Sequence, residues 1–430
     1  MMKNTFRPVR VAVISSSLKL GGAEKQTVYQ TRALREAGAD VRVFHLGEGA
    51  YYEQVLRQIG IPLIQIYKRN GPMLILARLS KALRRFGPEI VFSPQFGDLL
   101  QAGLAGRLCH ALVLGGVRSD GFYELNSNGR RSPWMLRLAH GLVANSHCGW
   151  HNLVSRGAKP SKIKILPNVL DLREFDARRQ LSPALSPQPE RVIAAAVGSL
   201  QPCKRFDRFL KALALARREA PALLGVIAGS DWGCRVDLEY EANQLGLAPN
   251  HVVFVGECDN VPALLTQAGF LVLCSEYEGF PNVVLEAMAA RLPVVTTPVG
   301  DVERIVSEDQ TGYVVDGADI EAMAARMIQL ARSRELRARL GTEGRNRVST
   351  EYNYEYLPVR LLAIFSEFAA LYRRSHLMEV LRGWSAAREM SPLPEYGVQT
   401  RAAMQCFRNQ KEQTDVRLEY LPRANITQAR

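Results

Sequence analysis

The sequence predicts an α/β protein of two Rossmann-like halves that face each other across a cleft. Three observations carry that expectation. A strand, a Gly-containing turn, a helix and a strand open the chain, the same order restarts at Arg191, and an uncharged, proline-rich stretch, residues 181–189 (LSPALSPQP), lies between them as a linker. At roughly 150 residues per domain, 430 residues suit two or three domains rather than one small binding module. With 47% hydrophobic and 23% charged residues, the chain has ample core material, which excludes global disorder and fibrous repeats.

The opening unit reads as a buried strand over 9–14, a turn through Gly21 and Gly22, a helix over 23–36 stopped by Gly38, and a strand over 41–46. The second unit reads as a strand over 192–197, a turn containing Gly198 and Pro202, a helix over 206–219 and a strand over 223–228. Strands over 252–255, 270–274 and 294–297, with a helix over 281–290, continue the alternation that a parallel sheet requires. Domains are therefore expected at 1–170 and 171–355. Residues 375–430 are expected to form a basic, poorly patterned tail.

The net charge of +13 is uneven: residues 1–170 carry +15, residues 171–355 carry −6, and the rest +4. A basic first half points to an anionic partner on one side only: nucleic acid, an anionic membrane or a pyrophosphate-bearing substrate. Nucleic acid is set aside, because the basic half has no aromatic residues interleaved with its charges and no recognition motif. Over residues 73–86, Leu76, Leu79, Leu83 and Phe86 recur at helical spacing beside Arg78, Lys81 and Arg85. With Lys68, Arg69 and Arg84 this basic amphipathic helix could hold the domain at an anionic surface, and the alternative is a solvated face on a helix packed against a sheet.

The longest uncharged run, residues 138–155, contains three histidines, two asparagines and two serines, so no membrane-spanning helix is expected. The apolar run after Lys3, Arg7 and Arg10 covers only 11–14, too short for a secretory signal, and a cytoplasmic location is expected. Seven cysteines without a C-x-x-C pair signal neither a disulfide framework nor structural zinc. His147, Cys148 and His151 are close together but lack a fourth ligand at any usual spacing.

Neither first turn contains G-x-G-x-x-G, which removes the main support for a dinucleotide-dependent dehydrogenase. Gly21 and Gly22, just ahead of a helix, instead let main-chain N–H groups approach an anion. The richest stretch is residues 276–290, EYEGFPNVVLEAMAA, where Glu278 and Glu286 flank a helix start. Pro281 suits the first helical position, which leaves the N–H groups of Asn282 and Val283 for an anion. Eight residues of helix rise about 12 Å, too far for a glycosidase acid–base pair. Two carboxylates so separated suit two sets of hydroxyls on one extended ligand, and a nucleotide sugar has that form.

Gly21-Gly22-Ala23-Glu24, the turn from Gly198 to Lys204, the pair Glu278/Glu286, and Pro293-Val294-Val295 followed by Gly300 resemble the retaining GT-B glycosyltransferases of family 4. The resemblance is specific over 191–316 and weaker before it, at Gly21-Gly22, Asn145-Ser146 and Pro167-Asn168. It implies that Lys204 holds the donor diphosphate, Glu278 touches the transferred sugar and Glu286 binds the ribose. Gly198, Ser199 and Arg205 with the backbone groups of Gly279, Phe280, Pro281 and Asn282 would complete the donor site, and the Gly21-Gly22 loop would close over the phosphate from the other domain. A helix over 357–372 would cross back to the first domain.

This sequence departs from the family in three places. Ser199 stands where arginine is frequent, so Lys204 or Arg205 must compensate; Arg291 stands where glycine usually closes a helix; and Arg118, Ser119 and Asp120 occupy a region that often has a histidine, and are the acceptor-side candidates. The resemblance implies an NDP-sugar donor, a glycan or lipid-linked acceptor, retention by front-face attack, and no metal or cofactor. A sugar-nucleotide epimerase of the same fold, or a catalytically silent binder, is the alternative.

Overall fold

The computed structural model describes residues 7–48, 51–67, 71–180 and 190–386. The first sheet has seven strands: β1 (Arg10–Ser15), β2 (Asp40–His45), β3 (Leu63–Gln65), β4 (Ile90–Ser93), β5 (Leu112–Val117), β6 (Gly141–Ala144) and β7 (Ile163–Ile165). Its order is β3-β2-β1-β4-β5-β6-β7, and every pair is parallel. The second sheet has six: β8 (Val192–Val197), β9 (Leu223–Ala228), β10 (Val252–Gly256), β11 (Phe270–Leu273), β12 (Val294–Thr296) and β13 (Gly312–Val314). Its order, β10-β9-β8-β11-β12-β13, repeats the same winding. In both sheets the order reverses beside the first strand, at β1/β4 and at β8/β11, and ligand crevices form outside the carboxyl ends of strands at such a point.

Strand alternation explains why the first sheet is buried on both faces. Val11 and Val13 pack into one core with Phe92 and Leu114, while Ala12 and Ile14 pack into another with Phe44, Val91 and Val113. The register Val11↔Val41 and Val11↔Ile90 keeps each face continuous from strand to strand. In the second sheet Ala194 and Ala196 share a core with Phe209 and Leu213, while Ala195 faces Val284 and Met288.

The chain passes between the sheets twice, and the two crossings are bridged: Leu170 N donates to Tyr352 O (2.8 Å) and Tyr354 N to Leu170 O (3.0 Å). After the second crossing, the helix Leu357–Leu371 covers one face of the first sheet. Phe365 meets Phe92 edge-on at 5.5 Å, and a side chain at Gly141 would collide with the Phe368 ring.

Two sequence expectations change. Residues Ser375–Ala386 form a helix whose Leu377, Val380 and Leu381 are buried in the first core, so the unpatterned tail does not begin at 375. The i, i+3, i+4 spacing of these three was too short a pattern to register as a helix. The basic helix runs Gly71–Phe86, and its Ile75, Leu79, Leu83 and Phe86 are buried in a core that also contains Phe44 and Val91. Its apolar stripe is therefore already used, and the outer face presents Arg78, Lys81, Arg84 and Arg85 with exposed Met73 and Leu74. Lys68, Arg69, the linker 181–189 and residues 387–430 lie outside the described residues. Among the described residues no helix is long and apolar enough to cross a membrane.

Candidate active site

The loops at the carboxyl ends of both sheets meet. On the second domain, the strand β8 ends at Gly198-Ser199, and a short turn, Pro202–Lys204, brings Lys204 back over it. A side chain at Gly229, φ +158°, would strike Gly198 O, so only glycine permits this approach of the two strand ends. Lys204 Nζ lies 2.6 Å from Glu278 Oε1, which also accepts from Ser275 Oγ at 2.8 Å. Burial is the largest influence on the Lys204 ammonium and pulls its pKa down. The Glu278 charge and hydrogen bond outweigh it, so the net displacement is upward and the group is cationic.

Glu286 sits on the helix Asn282–Ala289, with its side chain 12% exposed, and Lys25 of the other domain places Nζ 2.9 Å from Glu286 Oε1. Lys25 lies in the first turn of the helix Gly22–Glu36, immediately after the Gly-Gly loop. Burial pulls the Lys25 ammonium down most strongly, and Glu286, by charge and hydrogen bond, more than reverses it. Beside it, Gln26 Nε2 donates to Val169 O (2.7 Å) and to Asn282 Oδ1 (3.0 Å). A Cβ at Gly22 would fall 2.5 Å from Asn282 Nδ2, so the Gly-Gly loop touches the start of the Glu286 helix directly.

The domains also meet beyond this point. A side chain at Gly279 would collide with Ser119 O, and Tyr123 stacks on Tyr277 with ring centroids 6.5 Å apart. Asp301 accepts from His147 N (2.8 Å) and Cys148 N (3.1 Å) and meets His147 Nδ1 at 2.8 Å. The His147/Cys148/His151 grouping is thus the start of a helix capped from the opposite domain. Among the described residues no three His, Cys, Asp or Glu are grouped to hold a metal.

Several predicted site residues are placed differently from the sequence reading. Arg205 is left-handed (φ +50°), donates through Nε and Nη2 to Asp207 at 2.8 Å, and brings Nη1 to 3.7 Å from Glu276 Oε2. The Phe280 ring is buried against Tyr352, which leaves the backbone role expected of this residue unaltered, and its carbonyl accepts from Asn168 Nδ2 at 3.0 Å. Pro281 caps the helix rather than entering it, and Glu278 precedes the helix, so the 12 Å rise does not describe the Glu278–Glu286 separation. Asp120 accepts from Tyr123 N (2.8 Å) and caps the next helix. Arg118 donates from Nε to Pro94 O (3.1 Å), while burial pulls its guanidinium down to about 10 against the opposing charge of Glu124. Lys25, Gln26, Ser275 and Asp301 escaped the sequence reading; Lys25 directly follows Gly21-Gly22-Ala23-Glu24, and Asp301 directly follows Gly300.

Two Rossmann-like sheets joined by a double crossing, with cationic and acidic side chains meeting between their strand ends, define a GT-B protein. The family models agree: residues 178–347 match "Glycosyl transferases group 1" and residues 20–174 match "Glycosyltransferase Family 4". The chain belongs to the group 1 glycosyltransferases.

Among curated relatives, the N-acetyl-alpha-D-glucosaminyl L-malate synthase of Bacillus anthracis is 28% identical over 228 residues, covering 52% of this chain and 57% of that protein. The D-inositol 3-phosphate glycosyltransferase of Salinispora arenicola is 30% identical over 249 residues, covering 54% of this chain and 55% of that protein. The match thus spans little more than half of these relatives. The structure of Anabaena HepE in complex with UDP and glucose aligns with 83% of this chain and 99% of its own at a TM-score of 0.72 and 17% identity, a likeness of fold.

Proposed function

We propose that this protein transfers a sugar from an NDP-sugar, bound on the second domain, to an acceptor hydroxyl presented by the first, with retention at the anomeric carbon. The observation that carries the reading is the half-buried Lys204–Glu278 pair on the second domain, together with Glu286 held by Lys25 and the Gly21-Gly22 loop against Asn282. As the glycosidic bond breaks, negative charge grows on the leaving diphosphate, where Lys204 and the main-chain N–H groups of Asn282 and Val283 stabilise it. Glu278 would contact the transferred sugar and Glu286 the ribose, with Lys204 rather than a metal supplying the positive charge. The relatives named for L-malate and for D-inositol 3-phosphate, and the HepE structure with UDP and glucose, support a nucleotide-sugar donor and an acceptor bearing an acidic group.

A lipid-linked or cell-envelope glycan intermediate at the cytoplasmic face of a membrane fits the basic first domain. The exposed Arg78, Lys81, Arg84 and Arg85 would each add about 1 kcal/mol near an anionic leaflet. The test is mass spectrometry of the full chain with UDP-, GDP- and ADP-sugars, with and without lipid-linked acceptors, and NMR of the product's anomeric configuration. Turnover lowered by about 10-fold or more in Glu278→Ala and Lys204→Ala is expected; unchanged turnover in both variants overturns the assignment.

A further inference from the structure

Three neighbouring helices, Gly71–Phe86, Leu99–Leu108 and Ser132–Leu138, cover one face of the first sheet and bury Leu79, Leu83, Leu99, Ala102 and Met135 in the same core. Their opposite sides therefore form one outer surface. Residues 71–170 contain 13 Lys and Arg but only four acidic residues. Asp98, Asp120 and Glu124 are buried, and Glu89 accepts from Arg10 N (3.1 Å) beside Arg7 (3.5 Å). Among the described residues the three helices thus expose no carboxylate, while Arg78, Lys81, Arg84, Arg85, Arg107 and Arg137 are all exposed. Met73 is 79% and Trp134 62% exposed, each in the first turn of its helix, and the Arg137 guanidinium lies 5.6 Å from the centre of the Trp134 ring. Helices between parallel strands start at the carboxyl edge of the sheet, so both apolar side chains lie toward the edge on which the cleft opens.

We infer that this three-helix layer is a docking face for anionic phospholipid, with Trp134 and Met73 entering the headgroup boundary and the surrounding cations meeting lipid phosphates. The inference rests on the membrane location proposed above and adds which surface meets the lipid, which side chains enter it and which lipid charge it selects. An anionic bilayer offers both features the face calls for: negative charge spread over a plane, and a boundary that accepts an indole beside a guanidinium. A second copy docking through the same face would bring like charge and be repelled. The apolar stripe of Gly71–Phe86 stays in the protein core, so docking uses the outer side of the layer and no helix leaves the fold. Seated this way, the cleft edge of the first domain lies beside the headgroups.

The test is co-sedimentation of the full chain with vesicles of phosphatidylcholine alone and of phosphatidylcholine mixed equally with phosphatidylglycerol. Binding to the mixed vesicles is expected, weakening as salt is added, with little binding to the neutral ones. A variant carrying both Arg84→Gln and Arg85→Gln should bind about 25-fold more weakly, at about 5-fold per charge, while melting with the parent. Brominated phosphatidylcholine in the mixed vesicles should quench the parent's tryptophan fluorescence, and Trp134→Phe should lose most of that quenching. Equal binding to neutral vesicles, no loss in the double variant, or unchanged quenching in Trp134→Phe overturns the inference. So does tighter retention by a DNA duplex than by the mixed vesicles, which would assign the face to nucleic acid. Turnover of a UDP-, GDP- or ADP-sugar by a parent that ignores the mixed vesicles strikes this face and leaves the transferase reading; vesicle binding without any such turnover does the reverse.

Discussion

Replacing Lys25 with methionine removes the cation that sits on Glu286, the carboxylate proposed to receive the donor ribose. At 2.9 Å and an effective dielectric constant of about 20, the attraction is about 6 kcal/mol before desolvation. Withdrawing both groups from water offsets much of this, and about 1.5–3 kcal/mol is a reasonable net value for such a charge-assisted contact. A ribose that approaches Glu286 must displace the ammonium, so the pair opposes donor binding by that amount. In Lys25→Met the nucleoside diphosphate should bind about 10- to 150-fold more tightly. The unliganded variant should melt at a lower temperature, because Glu286 is left without its partner. Isothermal titration with UDP, GDP and ADP measures the first effect and thermal unfolding the second. Weaker or unchanged nucleotide affinity in Lys25→Met would refute the reasoning, the former by showing that Lys25 itself holds the donor.

Three further outcomes are expected. Lys204→Met should lower kcat/KM for the donor by about 10- to 150-fold, seen in initial rates, since one charge-assisted contact to the diphosphate is lost. Arg291 adopts φ +62° just after the helix Asn282–Ala289, with Leu292 N donating to Ala287 O (2.9 Å), and Arg291→Gly should raise stability by about 1 kcal/mol in urea unfolding. Burial pulls the His140 imidazole from 6.5 to about 4, and its Nδ1 accepts from Val113 N at 2.8 Å. Between those pH values the unfolded chain binds the proton and the folded one does not. Stability is therefore full above pH 6.5 and falls as pH drops toward 4, by about 3 kcal/mol in all. Urea midpoints across that range should show the decline, and a His140→Asn variant should lack that portion of it.

The alternation of apolar runs with turns made the first two strands of the first sheet and five of the six strands of the second readable from the sequence, and Lys204, Glu278 and Glu286 stood out there as donor-side candidates. What escaped was set by contacts between distant residues. Lys25 and Glu286 are 261 residues apart, and nothing local distinguishes Lys25 from a solvated helix lysine. The engagement of Arg205 depends on a short-range bond to Asp207 that composition could not rank against a ligand. Residues Ser375–Ala386 fold as a helix because the first sheet offers a surface for three apolar side chains, and such a surface is invisible to a periodicity search.

The bridged crossings and the returning helix Leu357–Leu371 make the first domain discontinuous along the chain. During synthesis, the sheet face carrying Val13 and Phe92 emerges early but gains its Phe365 and Phe368 cover only after the entire second domain has been made. The nascent first half should therefore depend on chaperones. Dissection at residue 170 should yield an aggregating fragment, and the same fragment supplied with 353–386 should be the smallest version of that half able to fold.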